Sequence, residues 1–180
     1  MSLAKILRTR EGHFTFESGH HGRLWLDLDA LFVHPSRLRP LVADLAVRLA
    51  GHGVTAICGP ATGGAYLAQQ VALELNARFH PVERVPPGYR LAPGVAPGER
   101  IALVDDAINA GSAVRACLRE LARTSGEVVA LGALLTLGTG ARDLAASVRL
   151  PLAAVETWPH ELWEPADCPL CAQGLPLEST

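Results

Sequence analysis

Asp105 and Asp106 stand side by side at the end of a short apolar run, Ile101-Ala102-Leu103-Val104, and Asn109-Ala110-Gly111-Ser112 follows after two residues. A run of that length reads as a fully buried strand. Two carboxylates at its carboxyl end can accept hydrogen bonds from sugar hydroxyls or sit near a hard cation. The small-residue turn offers backbone N–H groups, and the positive end of the next helix favours a phosphate dianion. The plainer alternative is a strand-to-helix turn carrying two solvated acids, and placement directly after a buried strand tips the balance towards phosphate. Cys58-Gly59-Pro60-Ala61-Thr62-Gly63-Gly64 has a similar setting. Its glycines allow close approach of an anion, although by themselves they fit a tight turn equally well.

Both segments need a scaffold that presents strand ends together. Leu38, Leu41, Val42, Leu45 and Leu49 fall on one face of a helix over residues 36–50, which Gly51 and Gly53 stop. Residues 54–58 read as a buried strand, 65–75 as a helix capped by Asn76, and 79–82 as the next strand. A helix over 112–125 turns Val114, Cys117, Leu118 and Leu121 inward, 128–137 is a further buried strand, and 152–155 fits a last one. Alternation of this kind predicts an α/β fold, a central, mostly parallel sheet with helices on both faces. Such sheets bind ligands at the carboxyl ends of their strands. Residues 1–34 read as an irregular hood, with short strands around Ser18-Gly19-His20-His21-Gly22; about 35–155 form the core and 156–180 a tail, all in a single domain.

Arg84 to Glu99 carries four prolines and three glycines, too many for a helix or an interior strand. It is long for a connection and is expected to be a lid.

The 180 residues suffice for one real core. Net charge is −2, which argues against duplex nucleic acid as a partner, and no apolar run approaches the length of a membrane helix. With no signal-like N-terminus and four cysteines in a chain this long, a reducing, cytoplasmic setting is expected.

The Asp105–Ser112 segment resembles the ribose-5-phosphate motif of the type I phosphoribosyltransferases, in which two acids precede a hydrophobic pair and a Thr/Gly/Ser-rich loop. Three segments are more narrowly similar to the orotate phosphoribosyltransferase family: F-T-F-E-S-G-H-H-G-R-L-W-L-D from Phe14, G-P-A-T-G-G-A-Y-L-A from Gly59, and D-D-A-I-N-A-G-S-A-V-R from Asp105. They run in order over roughly residues 10 to 140. The resemblance implies transfer of ribose 5-phosphate from phosphoribosyl pyrophosphate to a nucleobase, orotate or another, with Mg2+ as cofactor and a homodimer as the working unit. It places Asp105 and Asp106 on the ribose hydroxyls and Asn109, Ala110, Gly111 and Ser112 on the 5-phosphate. Ala61, Thr62, Gly63 and Gly64 fall on the pyrophosphate, Ser18 and Gly19 over the base, and Arg84 and Arg90 on the lid.

The chain departs from that pattern in two places. The family's lid run, R-K-x-x-K-x-H-G, corresponds here to Arg84-Val85-Pro86-Pro87-Gly88-Tyr89-Arg90, without lysine or histidine. The base-contacting D-R-x-x-G falls near Thr136–Gly140, which holds no arginine. Alternative readings are therefore a regulatory protein that binds phosphoribosyl pyrophosphate or a nucleotide with little turnover, or an unrelated nucleotide-binding α/β protein sharing only loop geometry.

Cys168-Pro169-Leu170-Cys171 is a single C-x-x-C without a second pair beside it, so a thiol-bearing packing turn is expected and no metal ligand is assigned. A zinc shared across a dimer, with His160 contributing, is the alternative. His20 and His21 could touch a base, although solvated turn histidines are commoner. Glu17 would favour an acceptor other than orotate, and Trp158 and Trp163 are expected to anchor the tail.

Overall fold

The structure, a computed structural model, describes residues 2–16, 18–86 and 88–178. After a short 3-10 turn the chain forms a hairpin of β1 (Arg8–Thr15) and β2 (His21–Asp27), then α1 (Ala30–Val33) and α2 (Pro35–Ala50). The core follows as β3 (Ala56–Pro60), α3 (Gly63–Leu75), β4 (Arg78–Val85), β5 (Gly88–Leu91), β6 (Arg100–Ile108), α4 (Ser112–Leu121), β7 (Glu127–Leu137), α5 (Gly140–Val148) and β8 (Leu152–Trp158). The tail adds β9 (Leu162–Trp163) and α6 (Pro169–Ala172).

Six strands make the main sheet in the order β5-β4-β3-β6-β7-β8. All its pairings are parallel except β4 with β5. Alternation along β6 divides the core. Ala102 and Val104 face the helices α2 and α3, while Ile101, Leu103 and Ile108 face α4 and α5. Each fully buried Leu, Ile or Val contributes about 1.5–3 kcal/mol relative to exposure, so these two layers fix the sheet between its helices. Asn76 closes α3 in the left-handed region, with its N–H donating to the Ala72 and Leu73 carbonyls.

β1, β2 and β9 form a separate antiparallel sheet, so the tail completes the hood. Leu3, Leu7, Leu26 and Leu31 join the α2–α3 core layer and seat that hood on the main sheet.

Two expectations change. The strand carrying the acids does not end at Val104. It runs through Asp105 and Asp106 to Ile108, because β7 continues to pair beside it as far as Thr136. The 84–99 segment is not one loop. Val82 to Val85 pair with Leu91 to Gly88 as an edge hairpin, and the prolines fall outside the paired residues, with Pro86 in the turn and Pro93 and Pro97 beyond Leu91. An edge strand tolerates such neighbours because it has only one ladder to satisfy. The remainder is tied down: buried Glu99 accepts from His80 Nε2 at 2.7 Å and pairs with Arg78, which also donates to the Gly94 carbonyl.

Candidate active site

Strand β3 passes through α3 to β4 on one side, whereas its other neighbour is β6. The direction of winding thus reverses between β3 and β6, where a doubly wound sheet opens a crevice. A cavity of about 320 Å³ lies there, within the size range of small-molecule sites. The loop after β3 and the end of β6 form its floor, and the hood forms its wall.

The two acids are fixed by the main chain. Asp105 is only 8% exposed and its Oδ1 accepts from the Asp106 N–H at 3.1 Å. Asp106 Oδ1 accepts from the Ala107 N–H at 2.8 Å. Burial pushes the Asp106 carboxyl above its ordinary range, and the Ala107 N–H pulls in the opposite direction. Neighbouring strand residues point to opposite faces, yet both carboxylates line the cavity because it wraps around the strand end. The β3 loop reaches both acids. A Cβ on Gly63 would collide with Asp106 Oδ2, and one on Gly64 would come within 2.6 Å of Asp105 Oδ1. Only residues without side chains let this loop lie against the acids.

Beyond β6, Gly111 adopts φ +77° and turns the chain into α4. Asn109, Ala110, Gly111 and Ser112 line the cavity before and at the N-terminus of that helix. Ala61, Thr62, Gly63 and Gly64 line it at the N-terminus of α3, after a cis peptide between Ala61 and Thr62. Two helix N-termini therefore open into one cavity, an arrangement suited to two anionic groups. Ser18 also lines it.

Three expected site residues lie elsewhere. Gly19, at φ +83°, shapes the β1–β2 turn without lining the cavity. Arg90 is held by Glu83 at 2.9 Å on an exposed part of the edge hairpin. Arg84 is paired across the hairpin with Tyr89, and among the described residues of that hairpin Tyr89 is the one that reaches the cavity. Among the described residues, the charged side chains lining the cavity are those of Asp105 and Asp106. The histidines also move out of the base-contacting role. His20 faces Glu164 and Ser18, and His21 lies with His13 and the C-x-x-C cysteines. That cluster corrects the expectation that Cys168 and Cys171 lack companions; His160 instead packs edge-on against Phe16, with ring centroids 5.6 Å apart. Trp158 donates from its indole N–H to Glu156, and Trp163 sits in β9 against β2. Glu17 lies outside the described residues.

Phe16, Leu24, Trp25 and Leu26 of the hood, with Leu137 at the end of β7, give part of the cavity lining an apolar character, which the sequence reading did not assign. The signal was present in the Phe14–Asp27 segment, but which hood residues face the cavity depends on the docking of one sheet on the other. Near the base segment, Thr136 Oγ1 is spent on Thr157 Oγ1 at 2.8 Å.

No family model matches the chain. Individual relatives do. An orotate phosphoribosyltransferase of Pelotomaculum thermopropionicum is 34% identical over 167 residues, covering 92% of this chain and 86% of the relative. One from Thermotoga maritima is 32% identical over 178 residues, covering 98% and 93%. Among solved structures, orotate phosphoribosyltransferase from Aeropyrum pernix superposes with a TM-score of 0.69 at 25% identity, over 83% of this chain and 87% of that one. An adenine phosphoribosyltransferase from Thermoanaerobacter pseudethanolicus reaches 0.70 at 18% identity, over 87% and 98%, a likeness of fold.

Proposed function

The chain belongs to the orotate phosphoribosyltransferase family, and from that membership we propose that it transfers ribose 5-phosphate from phosphoribosyl pyrophosphate to orotate or a related base. The supporting observation is the crevice between β3 and β6, where buried Asp105, half-buried Asp106 and two helix N-termini converge. Asp105 and Asp106 would hold the ribose hydroxyls. Backbone N–H groups of Asn109 to Ser112 would take the 5-phosphate, and those of Ala61 to Gly64 the pyrophosphate. The apolar wall formed by Phe16, Leu24, Trp25 and Leu26 would stack the base and exclude water from the anomeric carbon.

Displacement at that carbon by a ring nitrogen needs the two reactants aligned and charge on the departing pyrophosphate compensated. The chain contributes alignment through fixed carboxylates and amides. Mg2+ fits this donor set, since Asp105 and Asp106 supply carboxylate oxygens of the hard class it prefers; when bound it would neutralise pyrophosphate charge.

The scarcity of cations in the cavity supports a homodimer, in which the edge hairpin of one copy brings Arg84 and Arg90 to the other. The exposed Arg90–Glu83 pair is worth about 0–1 kcal/mol and gives way readily to a polyanion. A cytoplasmic setting is consistent with four free cysteines, and no helix among the described residues is long and apolar enough to cross a membrane.

Transfer of label from ribose-labelled phosphoribosyl pyrophosphate to a panel of bases tests the assignment. Formation of a nucleoside monophosphate with one base is the expected result. Saturable binding with no product from any base would instead identify a binding protein.

A further inference from the structure

His13, His21, Cys168 and Cys171 come from opposite ends of the chain, and each offers a ligand atom within 4.8 Å of all the others. We propose that they form a structural zinc site of the Cys2His2 type that fastens the tail to the hood.

The local structure explains how the four meet. Thr15 pairs with His21 across the β1–β2 hairpin, and the register shifts between Glu11 and Phe14, an irregularity that breaks the alternation at His13 and leaves its ring beside that of His21. Cys168 caps the start of α6 and Cys171 lies one turn along, the C-x-x-C spacing of zinc sites. β9 pairs Trp163 with His21 and carries the tail back across the hood towards those cysteines.

Of four ligand–ligand distances, three fall in the range of a metal cage and the fourth is 0.2 Å short of it. Zinc bonds of roughly 2.3 Å to sulfur and 2.1 Å to nitrogen, arranged tetrahedrally, separate neighbouring ligand atoms by roughly 3.3–3.8 Å. His13 Nε2 lies 3.1 Å from His21 Nδ1, 3.4 Å from Cys168 Sγ and 3.7 Å from Cys171 Sγ; His21 Nδ1 lies 3.3 Å from Cys171 Sγ. His13 Nδ1 is 2.9 Å from the Leu175 carbonyl, a partner that only an N–H can satisfy. That contact fixes the tautomer with Nε2 bare and aimed into the cluster, as the outer partners of zinc-bound histidines do.

Charge and burial agree with this assignment. His13, His21 and Cys168 are almost fully buried. Binding releases one proton from each thiol, and two thiolates then balance Zn2+, so the site is neutral overall. Four protein ligands leave no open position, which marks a structural rather than a catalytic metal. Soft sulfur paired with imidazole selects zinc over Mg2+. The structural consequence follows from His21: it opens the strand after the turn whose Ser18 lines the cavity, so the metal would hold the hood over the substrate crevice.

The test uses full-length protein purified under reducing conditions. Elemental analysis should find one zinc per chain, and Co2+ added after chelation should give the visible d–d bands of a tetrahedral thiolate site. His21→Ala should reduce metal content to near zero, whereas His160→Ala should leave it at one equivalent. Hydrogen exchange should rise in β1, β2 and residues 164–178 after chelation. If His21→Ala fails to fold, Co2+ titration of the unaltered chain still decides the matter. Absence of metal together with absence of Co2+ bands would overturn the proposal, as would a Cys168–Cys171 disulfide in the protein as isolated.

Discussion

The carboxylate of Asp106 occupies the space into which a side chain on Gly63 would grow. The loop after β3 and the acids in the last part of β6 are thus packed as one unit across the winding reversal. Gly63→Ala must push the acid or the loop aside, at a cost of about 1–3 kcal/mol typical of overpacking. Because 1.4 kcal/mol is a factor of ten, calorimetry should show phosphoribosyl pyrophosphate affinity roughly 5- to 150-fold weaker where that cost falls on the ligand-binding geometry. Unaltered affinity would mean that the two loops do not share the ligand.

Asp105→Asn combined with Asp106→Asn should abolish phosphoribosyl pyrophosphate binding and leave the fold intact. The single change Asp106→Asn carries a stability signature as well. Burial raises the folded-state pKa of Asp106, so its stabilising contribution is complete below the ordinary carboxylate range and is lost as pH rises through the raised value. Asparagine never ionises and still accepts from the Ala107 N–H. The ligand-free variant should therefore melt higher than the parent at neutral pH, with the difference shrinking towards acid pH. Parallel melting curves across that range would contradict the burial cost.

Arg84 and Arg90 separate by their position on the edge hairpin. Arg90 is an exposed partner of Glu83, so Arg90→Ala should alter stability by about 0.5 kcal/mol or less. A fall in kcat in that variant then reports catalysis. If a second copy supplies the hairpin, mixing an Arg84→Ala, Arg90→Ala chain with an Asp105→Asn, Asp106→Asn chain should restore activity that neither has alone. No recovery in mixed dimers would place the hairpin over its own crevice.

Trp25→Ala removes an aromatic surface that the hood contributes to the cavity lining. Stacking of this kind is worth about 0.5–1.5 kcal/mol beyond area burial. The KM for the base should rise several-fold, while the KM for phosphoribosyl pyrophosphate stays near its parent value. Equal increases in both would mean that the hood as a whole had shifted.

Thiol labelling offers a further check. Burial pushes the Cys58 thiol up to about 12 and raises that of Cys117 as well. Cys58 in β3 and Cys117 on the buried face of α4 belong to the same core layer and should resist alkylation at neutral pH until the protein unfolds. Rapid reaction at either would argue against the packing of α4 on the sheet.

Features carried by neighbours in the chain were legible from residue order. The apolar run into Asp105 and Asp106, the glycines of residues 59–64 and the left-handed Asn76 each depend on local geometry and short-range packing. So does the alternation that placed both loops at strand ends. The edge hairpin escaped because proline content speaks against strands on average, whereas Pro86, Pro93 and Pro97 fall just outside the paired positions. Which hood side chains face the crevice depended on how one sheet docks on another, and that Arg90 turns to Glu83 depended on the register of the edge hairpin, which sets the two opposite each other. The Cys2His2 cluster is the extreme case: His13 and Cys168 are separated by 155 residues, and no local pattern links them. They meet because β9 adds to the hood sheet and brings the tail home, a contact that exists only once both sheets have formed.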